Sequence, residues 1–318
     1  MANEASAPTL YTMAAPPHWH CGRTVPGVMK QYILALLPAA LMAVVTYGFP
    51  ALRVMALSCA TAVAVEALCC KVMGRPSSVD DFHAVLIGLL LAFLLPAMAP
   101  WWLVMVGAAL SIFVAKMLFG GLGGNPLCPP LVGWAILTLS WKTQMDPGAM
   151  VLATSLVDPL IQLKYMGLAA AQKMSYADLL LGRQLGGLGA SQVLALLAGA
   201  AFLVSRGLLK LYVPLSFLAG VLLTGLVYFL MNGAAYPNPV FHLLTGSVVL
   251  GACFLATDPN SSPVNRTAMV LFGLTCGIMT VIIRVYGIYP DGVPFAILFA
   301  NLFTPMFDLI RPKPFGAR

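Results

Sequence analysis

The sequence predicts an all-α, polytopic membrane protein with about ten transmembrane helices in two repeated five-helix halves. Composition is the first observation: of 318 residues, 60% are hydrophobic and 8% are charged, with a mean hydropathy of +0.93, whereas soluble domains carry about 25% charged residues. The second is a set of long apolar runs. Runs such as 85–95 are apolar on every side, which indicates buried helices rather than alternating strands. The third is an internal repeat. A soluble enzyme is excluded.

The runs between Pro, Gly and charged residues define the predicted spans, because a span needs about 20 apolar residues. They are 29–49, 51–72, 83–98, 101–118, 129–145, 190–205, 209–231, 240–256, 267–288 and 293–311. The third, fifth and eighth are interrupted by Pro or Gly. Broken helices are tolerated at membrane depth only where protein or a cavity covers the freed backbone. These three spans are therefore expected to line a site.

The distribution of charge predicts the topology, because Lys and Arg accumulate on the cytoplasmic side. Most of the 17 Lys and Arg fall on the side that holds both termini. The predicted order is a cytoplasmic tail (1–28), a first half (29–145), a long extracytoplasmic loop (146–189), a second half (190–311) and a cytoplasmic tail (312–318). The expected location is the bacterial inner membrane.

The repeat is seen where the third and eighth spans begin. Phe82 and His83 open one, and Phe241 and His242 open the other, half a chain length later. Internal repeats commonly frame a site near the midplane of the membrane. Chance similarity between apolar segments is the alternative interpretation.

Several functions are disfavoured by residue usage. The basic residues are scattered singly, which argues against nucleic-acid binding. The seven cysteines contain no Cys-x-x-Cys pair, so neither a disulfide framework nor an iron–sulfur cluster is indicated. His18 and His20 are too few ligands for a metal site, and no metal is expected.

Two acids are candidates for an ion path, because acids inside a membrane are costly and often functional. Glu66 lies in the second span, one turn from Lys71, and a pair between them is the alternative. Asp308 lies near the end of the tenth span, and its alternative is a salt bridge to Arg311 at i+3. Both remain open at this point.

A glycine-rich stretch follows the fourth span. The run from Phe119 to Pro126 reads FGGLGGNP, in which Gly120, Gly121 and Gly124 permit close backbone approach next to Asn125. Its N–H groups could form a nest for a phosphate or an anionic ring edge. A tight turn between helices is the alternative.

Two further stretches are as distinctive. Residues 241–263 read FHLLTGSVVLGACFLATDPNSSP, and residues 283–296 read IRVYGIYPDGVPFA. Together with the glycine-rich run, Pro17-His-Trp-His20, Asp80-Asp81 and Pro100-Trp-Trp102, they resemble one family of membrane flavoproteins. That family contains the RnfD protein of the Rnf electron-transport complex and the NqrB protein of the sodium-translocating NADH:quinone oxidoreductase. The resemblance runs from about residue 16 to 315 and is closer to the Rnf proteins.

The resemblance implies a component of a redox pump in which electrons pass between ferredoxin and NAD while Na⁺ or H⁺ crosses the membrane. Partners would be membrane and peripheral subunits that carry flavin and iron–sulfur centres. It also implies a flavin, FMN and/or riboflavin, with FMN joined through its phosphate to a Thr in the loop after the fifth span.

The loop departs from the family pattern at the attachment point. Alignment on Pro159 and Lys164 puts Asp158 where the flavin-bearing Thr should stand, and a carboxylate cannot form the same stable phosphoester. Alignment on Ala153 instead keeps a threonine, Thr154. The first register removes covalent FMN, and the second preserves it.

The residues that we expect to bind cofactor lie at the broken ends of spans and in this loop. They are Gly120, Gly121, Gly124, Asn125, Thr154, Asp158, Thr257, Asp258, Asn260, Arg284 and Asp291. Arg284 has a pair with Asp291 as its alternative role. No residue is expected to be catalytic by itself, and the isolated chain is expected to be inactive. A permease or channel without redox chemistry, and a flavin-free scaffold of the complex, are the rival functions.

Overall fold

The computed structural model describes residues 22–146, 156–168, 174–233 and 236–310. The chain is all-helical over these ranges. Thr154, His18, His20 and Arg311 lie outside the described residues, so the predictions that depend on them stay predictions.

The helices of the first half follow one another with short turns. They are α1 (Val25–Tyr47), α2 (Phe49–Val72), α3 (His83–Leu94), α4 (Trp101–Ile112, continued by a π-helical turn at Phe113–Met117), α5 (Pro129–Ser140) and α6 (Lys142–Met145). Thr24 begins α1 by accepting a hydrogen bond from the N–H of Gly27, which satisfies one of the free donors of the first turn. A 3₁₀ turn, Val79–Asp81, precedes α3.

The long loop contributes two short helices, α7 (Pro159–Met166) and α8 (Tyr176–Leu180). The second half then contains α9 (Val193–Ser205), α10 (Tyr212–Met231), α11 (Pro239–Leu244), α12 (Val248–Leu250, continued by a π-helical turn at Gly251–Leu255), α13 (Arg266–Tyr286) and α14 (Val293–Asp308).

Membrane character is confirmed by the helices themselves. In the described part of the chain, α1, α2, α10 and α13 are long and apolar enough to cross a membrane, and α3, α4, α5, α9 and α14 are shorter apolar helices. The predicted eighth span is not one helix, because it is interrupted between α11 and α12 at Thr245–Ser247. Gly246 adopts a φ of 66° there, a conformation that favours glycine.

Small residues let the helices approach closely. A Cβ atom on Gly88 of α3 would lie 2.8 Å from the Cα of Cys59 on α2, and one on Gly220 of α10 would lie 2.9 Å from the carbonyl oxygen of Leu274 on α13. Such contacts replace the hydrophobic effect as the cause of helix association in lipid. In the same way α1 packs on α9 and α5 on α14, so the two halves share one core.

The loop before α9 closes the outer end of α3. The N–H of Leu188 donates to the carbonyl of Leu95, and the N–H of Ala190 donates to the carbonyl of Phe93. The Gln184 amide donates to the carbonyl of Leu244 at the end of α11. The loop thereby satisfies backbone groups at two helix ends that would otherwise be unpaired in the membrane.

Candidate functional site

An outer cavity forms where the long loop covers the ends of α5, α12 and α14. It is open on one side, and its empty space of about 990 Å³ includes open solvent. Its polar lining includes Lys142, Asp146, Asp158, Ser247 and Asp291, and its apolar lining includes Trp134, Leu160, Ile161 and Pro294.

Asp158 is the N-cap of α7. Its Oδ1 accepts hydrogen bonds from the N–H of Leu160 at 2.8 Å and of Ile161 at 3.2 Å, as a capping carboxylate does. The carboxyl faces the cavity in a partly buried position, and burial raises its pKa to about 7. Residue 158 therefore presents a carboxyl group, and not a hydroxyl, to the cavity.

Asp291 and Arg284 hold the break in the eighth span together. The Nη2 atom of Arg284 lies 3.2 Å from Oδ1 of Asp291, and the guanidinium also donates to the carbonyls of His242 and Thr245 at the end of α11. Asp291 Oδ2 accepts from the N–H and the hydroxyl of Ser247 at the start of α12. The Arg284 to Asp291 pair is thus observed, and it satisfies both ends of the interrupted helix.

An inner site forms from the glycine-rich loop and the loop after α12. Gly120 and Gly121 adopt φ values of 104° and 102°, so the loop folds only with glycine at these places. The chain then turns Asn125 inward, where it is buried. Its Nδ2 donates to the carbonyl of Leu127 at 3.3 Å and lies 3.5 Å from Oδ2 of Asp258.

Two amide atoms at this inner site are buried and have no hydrogen-bond partner among the described residues. They are the Oδ1 atom of Asn125 and the Nδ2 atom of Asn260. Asp258 accepts from the hydroxyl of Ser261, and burial raises the pKa of its carboxyl to about 6. Since buried polar atoms are normally paired, a free acceptor and a free donor here indicate room for a ligand.

A second, smaller cavity adjoins the inner site. It contains about 430 Å³ of empty space and includes Asp258 and Pro259 in its lining. The remaining lining residues are Met29, Tyr32, His83, Leu86, Ile87, Leu90, Cys128, Pro129, Pro130 and Phe254. The site therefore combines apolar walls with a few polar groups, as flat aromatic ligands require.

The predicted cofactor residues consequently fall in two places and not in one central pocket. Asn125 and Asp258 meet at the inner site, with Thr257 and Asn260 flanking Asp258 in the chain, whereas Asp158 and Asp291 line the outer cavity and Arg284 lies behind Asp291. Gly120, Gly121 and Gly124 precede Asn125 in the loop, and the carbonyl of Gly120 accepts a hydrogen bond from Arg75. Ser247 and Asp258 lie at opposite ends of the helical segment 248–255, which spans about 12 Å at 1.5 Å per residue. The hydroxyl of Thr257 donates to the carbonyl of Cys253.

Glu66 does not pair with Lys71. Its Oε1 lies 2.5 Å from Nζ of Lys116, and both side chains are completely buried. The hydroxyl of Ser78 donates to the same oxygen, and Oε2 has no partner in the described part of the chain. Lys71 is exposed. The prediction of a Glu66 to Lys71 pair is wrong, because the π-helical turn at the end of α4 directs Lys116 inward.

Asp308 lies at the exposed end of α14, where its Oδ1 accepts from the N–H of Val264 at 3.1 Å. This bond ties the end of α14 to the start of α13. The position favours a structural role over an ion path within the membrane.

Lys116 and Ser247 are important residues that the sequence analysis missed. By pattern alone, Lys116 belongs with the cytoplasmic charges that set topology, and Ser247 with the small residues of a broken span. One feature of the sequence does distinguish Lys116 from the charges that set topology. It lies within a predicted span (101–118) and not beyond the end of one.

The whole chain can be compared with known proteins. The profile of the NQR2, RnfD, RnfE family matches residues 12–316. The chain belongs to this family. An RnfD-type relative from Acetobacterium woodii, named as part of the Na(+)-translocating ferredoxin:NAD(+) oxidoreductase complex, is 36% identical over 300 residues, which cover 93% of this chain and 92% of that protein.

Two other relatives are named as subunits of an ion-translocating oxidoreductase complex. The one from Cronobacter sakazakii is 32% identical over 349 residues, covering 97% of this chain and 100% of the relative. The one from Escherichia fergusonii is 31% identical over 351 residues, covering 97% and 99%. These similarities confirm the family that the sequence motifs indicated.

Proposed function

We propose that this chain is the RnfD-type membrane component of an ion-translocating oxidoreductase complex, in which electron transfer between ferredoxin and NAD drives Na⁺ or H⁺ across the bacterial inner membrane. The observation that carries the proposal is the similarity to components of such complexes along nearly the full length of both chains. Both termini would be cytoplasmic, which puts the inner site on the cytoplasmic side and the outer cavity on the opposite side.

We also propose that the ten spans form two halves of inverted orientation, since a five-span half reverses direction. Matching contacts support this: α2 packs on α3 and α4, and α10 packs on α11 and α13. His83 and His242 are both buried at the start of the third and eighth spans. Lys116 and Arg284, near the ends of the fourth and ninth spans, are buried cations with a carboxylate partner.

We propose that the inner site holds a flavin without a covalent bond. The pyrimidine edge of a flavin presents an N–H between two carbonyl oxygens, and the unpaired Oδ1 of Asn125 and Nδ2 of Asn260 offer one acceptor and one donor to such an edge. The apolar walls beside Asp258 would contact one edge of the ring. A flavin bound there would supply exchange of both one and two electrons between partner centres.

The outer cavity does not fit FMN linked through residue 158. The Asp158 side chain lacks the hydroxyl that a phosphoester needs, and its Oδ1 is occupied by the N–H groups of α7. Asp146 and Asp291 add two more carboxyl groups to the lining, which repel a phosphate. We therefore propose that the chain holds its flavin without a covalent bond at Asp158.

The ion path is proposed to include Glu66. The buried carboxylate of Glu66 accepts hydrogen bonds from Lys116 and Ser78 through Oε1, and its Oε2 has no partner among the described residues. It is able to accept a cation or proton when the lysine moves away. A buried pair of this kind is costly to maintain and is retained where it has a function.

The test of the flavin site uses Asn125→Leu in the purified complex. Asn301→Leu is the matched control, because Asn301 is also a buried asparagine with unpaired amide atoms but lies on α14 outside both cavities. We expect Asn125→Leu to lower flavin content and ferredoxin-dependent reduction of NAD without lowering assembly, and Asn301→Leu to leave both unchanged. Full flavin content and full turnover in Asn125→Leu would remove this residue from the site.

A further inference from the structure

A third cavity lies behind α7, beside the outer cavity. It contains about 620 Å³ of empty space and shares only Leu160 and Pro290 with the outer cavity. Its described lining residues are Leu160, Leu163, Lys164, Tyr236, Pro237, His242, Arg284, Val285 and Pro290. None of these carries a carboxylate, whereas three aspartates line the neighbouring outer cavity. We call this third cavity the basic pocket.

Polar side chains that lack a full set of hydrogen-bond partners line the basic pocket. The Nε atom of Arg284 and the Nδ1 atom of His242 are buried and have no partner in the described part of the chain, and the two side chains are 7% and 2% exposed. The Lys164 ammonium donates to the carbonyls of Gly287 and Tyr289, which leaves one of its three N–H bonds free. Tyr236 also lines the pocket.

The positive charge in the basic pocket is not fully balanced by carboxylates, and an anionic ligand would balance it. Lys164 forms no ion pair with a described residue, and burial together with the neighbouring Lys142 lowers the pKa of its ammonium. Arg284 is paired with Asp291 through Nη2, but its Nε takes no part in that pair. A buried donor without an acceptor costs free energy, so the pocket requires an acceptor-rich occupant.

We propose that the basic pocket binds a phosphate group at the outer surface of the membrane. Two cationic side chains and a tyrosine, with no carboxylate among the described side chains of the lining, match the oxygens of a tetrahedral oxyanion. α7 belongs to the outer loop and Arg284 to the last turn of α13, so the pocket lies near the depth of the lipid headgroups. The phosphate belongs either to a phospholipid headgroup or to free phosphate, and the recognition chemistry is the same.

The experiment measures the thermal unfolding temperature of the purified full chain in dodecyl maltoside. The probes are inorganic phosphate and dioctanoyl phosphatidylglycerol, and dioctanoylglycerol is the lipid control without phosphate. Both wild type and Lys142→Gln should show a saturable rise of Tm. Lys142 is a suitable control because it lines the acidic outer cavity and not the basic pocket.

Lys164→Gln should weaken the apparent affinity for the phosphate probe by about tenfold or more, the effect of one lost charge-assisted hydrogen bond. If that variant does not fold, Tyr236→Phe removes only a hydroxyl and should still weaken the affinity several-fold. A rise with phosphatidylglycerol alone identifies a lipid site, and a rise with both probes identifies a site for any phosphate group.

Two results would overturn the inference. One is the absence of a Tm rise with either phosphate probe, which would mean that only water occupies the pocket. The other is an equal response of wild type and Lys164→Gln. The inference does not rest on the flavin proposal, and the measurement is made without electron donors, so either can fail while the other stands.

Discussion

The pair between Glu66 and Lys116 gives the sharpest prediction about stability. Glu66→Gln removes the charge that balances Lys116 and leaves a completely buried ammonium without a carboxylate partner. The amide oxygen of the substituted side chain remains a neutral acceptor for Lys116 and Ser78, but a neutral hydrogen bond does not replace the lost ion pair. Breaking a buried pair by removing one member costs about 3–5 kcal/mol.

The double variant Glu66→Gln with Lys116→Met should recover most of that loss, because replacing both members of a buried pair is often neutral. Lys71→Met is the control. It removes the lysine that lies nearest to Glu66 along the sequence, and as an exposed residue it should change stability by no more than about 0.5 kcal/mol.

The assay is equilibrium unfolding in mixed dodecyl maltoside and sodium dodecyl sulfate micelles, followed by intrinsic fluorescence. The wild type, Glu66→Gln, Lys116→Met and their double variant form a double-mutant cycle whose coupling energy isolates the pair. A Glu66→Gln variant as stable as the wild type, or a Lys71→Met variant that loses more than Glu66→Gln, would refute the reasoning.

Two further predictions concern packing and titration. Gly133→Ala should destabilise the chain by about 1–3 kcal/mol, because its Cβ would overlap the Ser111 hydroxyl and lie 2.7 Å from the carbonyl of Gly107; unchanged detergent unfolding would contradict it. The pKa of Asp158 rises from 3.8 to about 7 on folding, so between these values the folded chain holds one more proton than the unfolded chain, and stability falls as pH rises. Asp158→Asn keeps the N-cap but does not titrate. The Tm of the wild type should therefore fall relative to the Tm of Asp158→Asn from about pH 4 to 7. Parallel Tm profiles of the two proteins would contradict this prediction.

The membrane class and the long spans follow from the sequence, because long apolar runs are stable in lipid. α2, α10 and α13 lie within about three residues of the predicted second, seventh and ninth spans. The glycines of the eighth span also predicted its interruption, which the structure confirms, but not the residues that stabilise it. Its break at Gly246 depends on Arg284 and Asp291, which lie about 40 residues later in the chain, and local pattern does not reveal such a partner.

The candidate site residues stay a prediction, and the structure adds how they are arranged. Sequence motifs selected Asn125, Asp158, Asp258 and Asp291, and each lies at or beside a cavity. Their division into an inner and an outer group depends on which end of each span a residue occupies. The partner of Glu66 was missed because α4 brings Lys116 to it from 50 residues away, whereas Lys71 is closer only along the chain.

The central claim is that this protein holds a flavin without a covalent bond at residue 158. The most direct measurement is the flavin content of the purified chain, as in-gel fluorescence after denaturing electrophoresis and as flavin released by acid precipitation. We predict acid-released flavin and no fluorescent band in the gel, with Thr154→Ala unchanged in both. A fluorescent band that disappears in Thr154→Ala would contradict the claim by showing a covalent bond at Thr154, and the absence of flavin in both fractions of an intact complex would show that the electrons pass through the partner proteins alone.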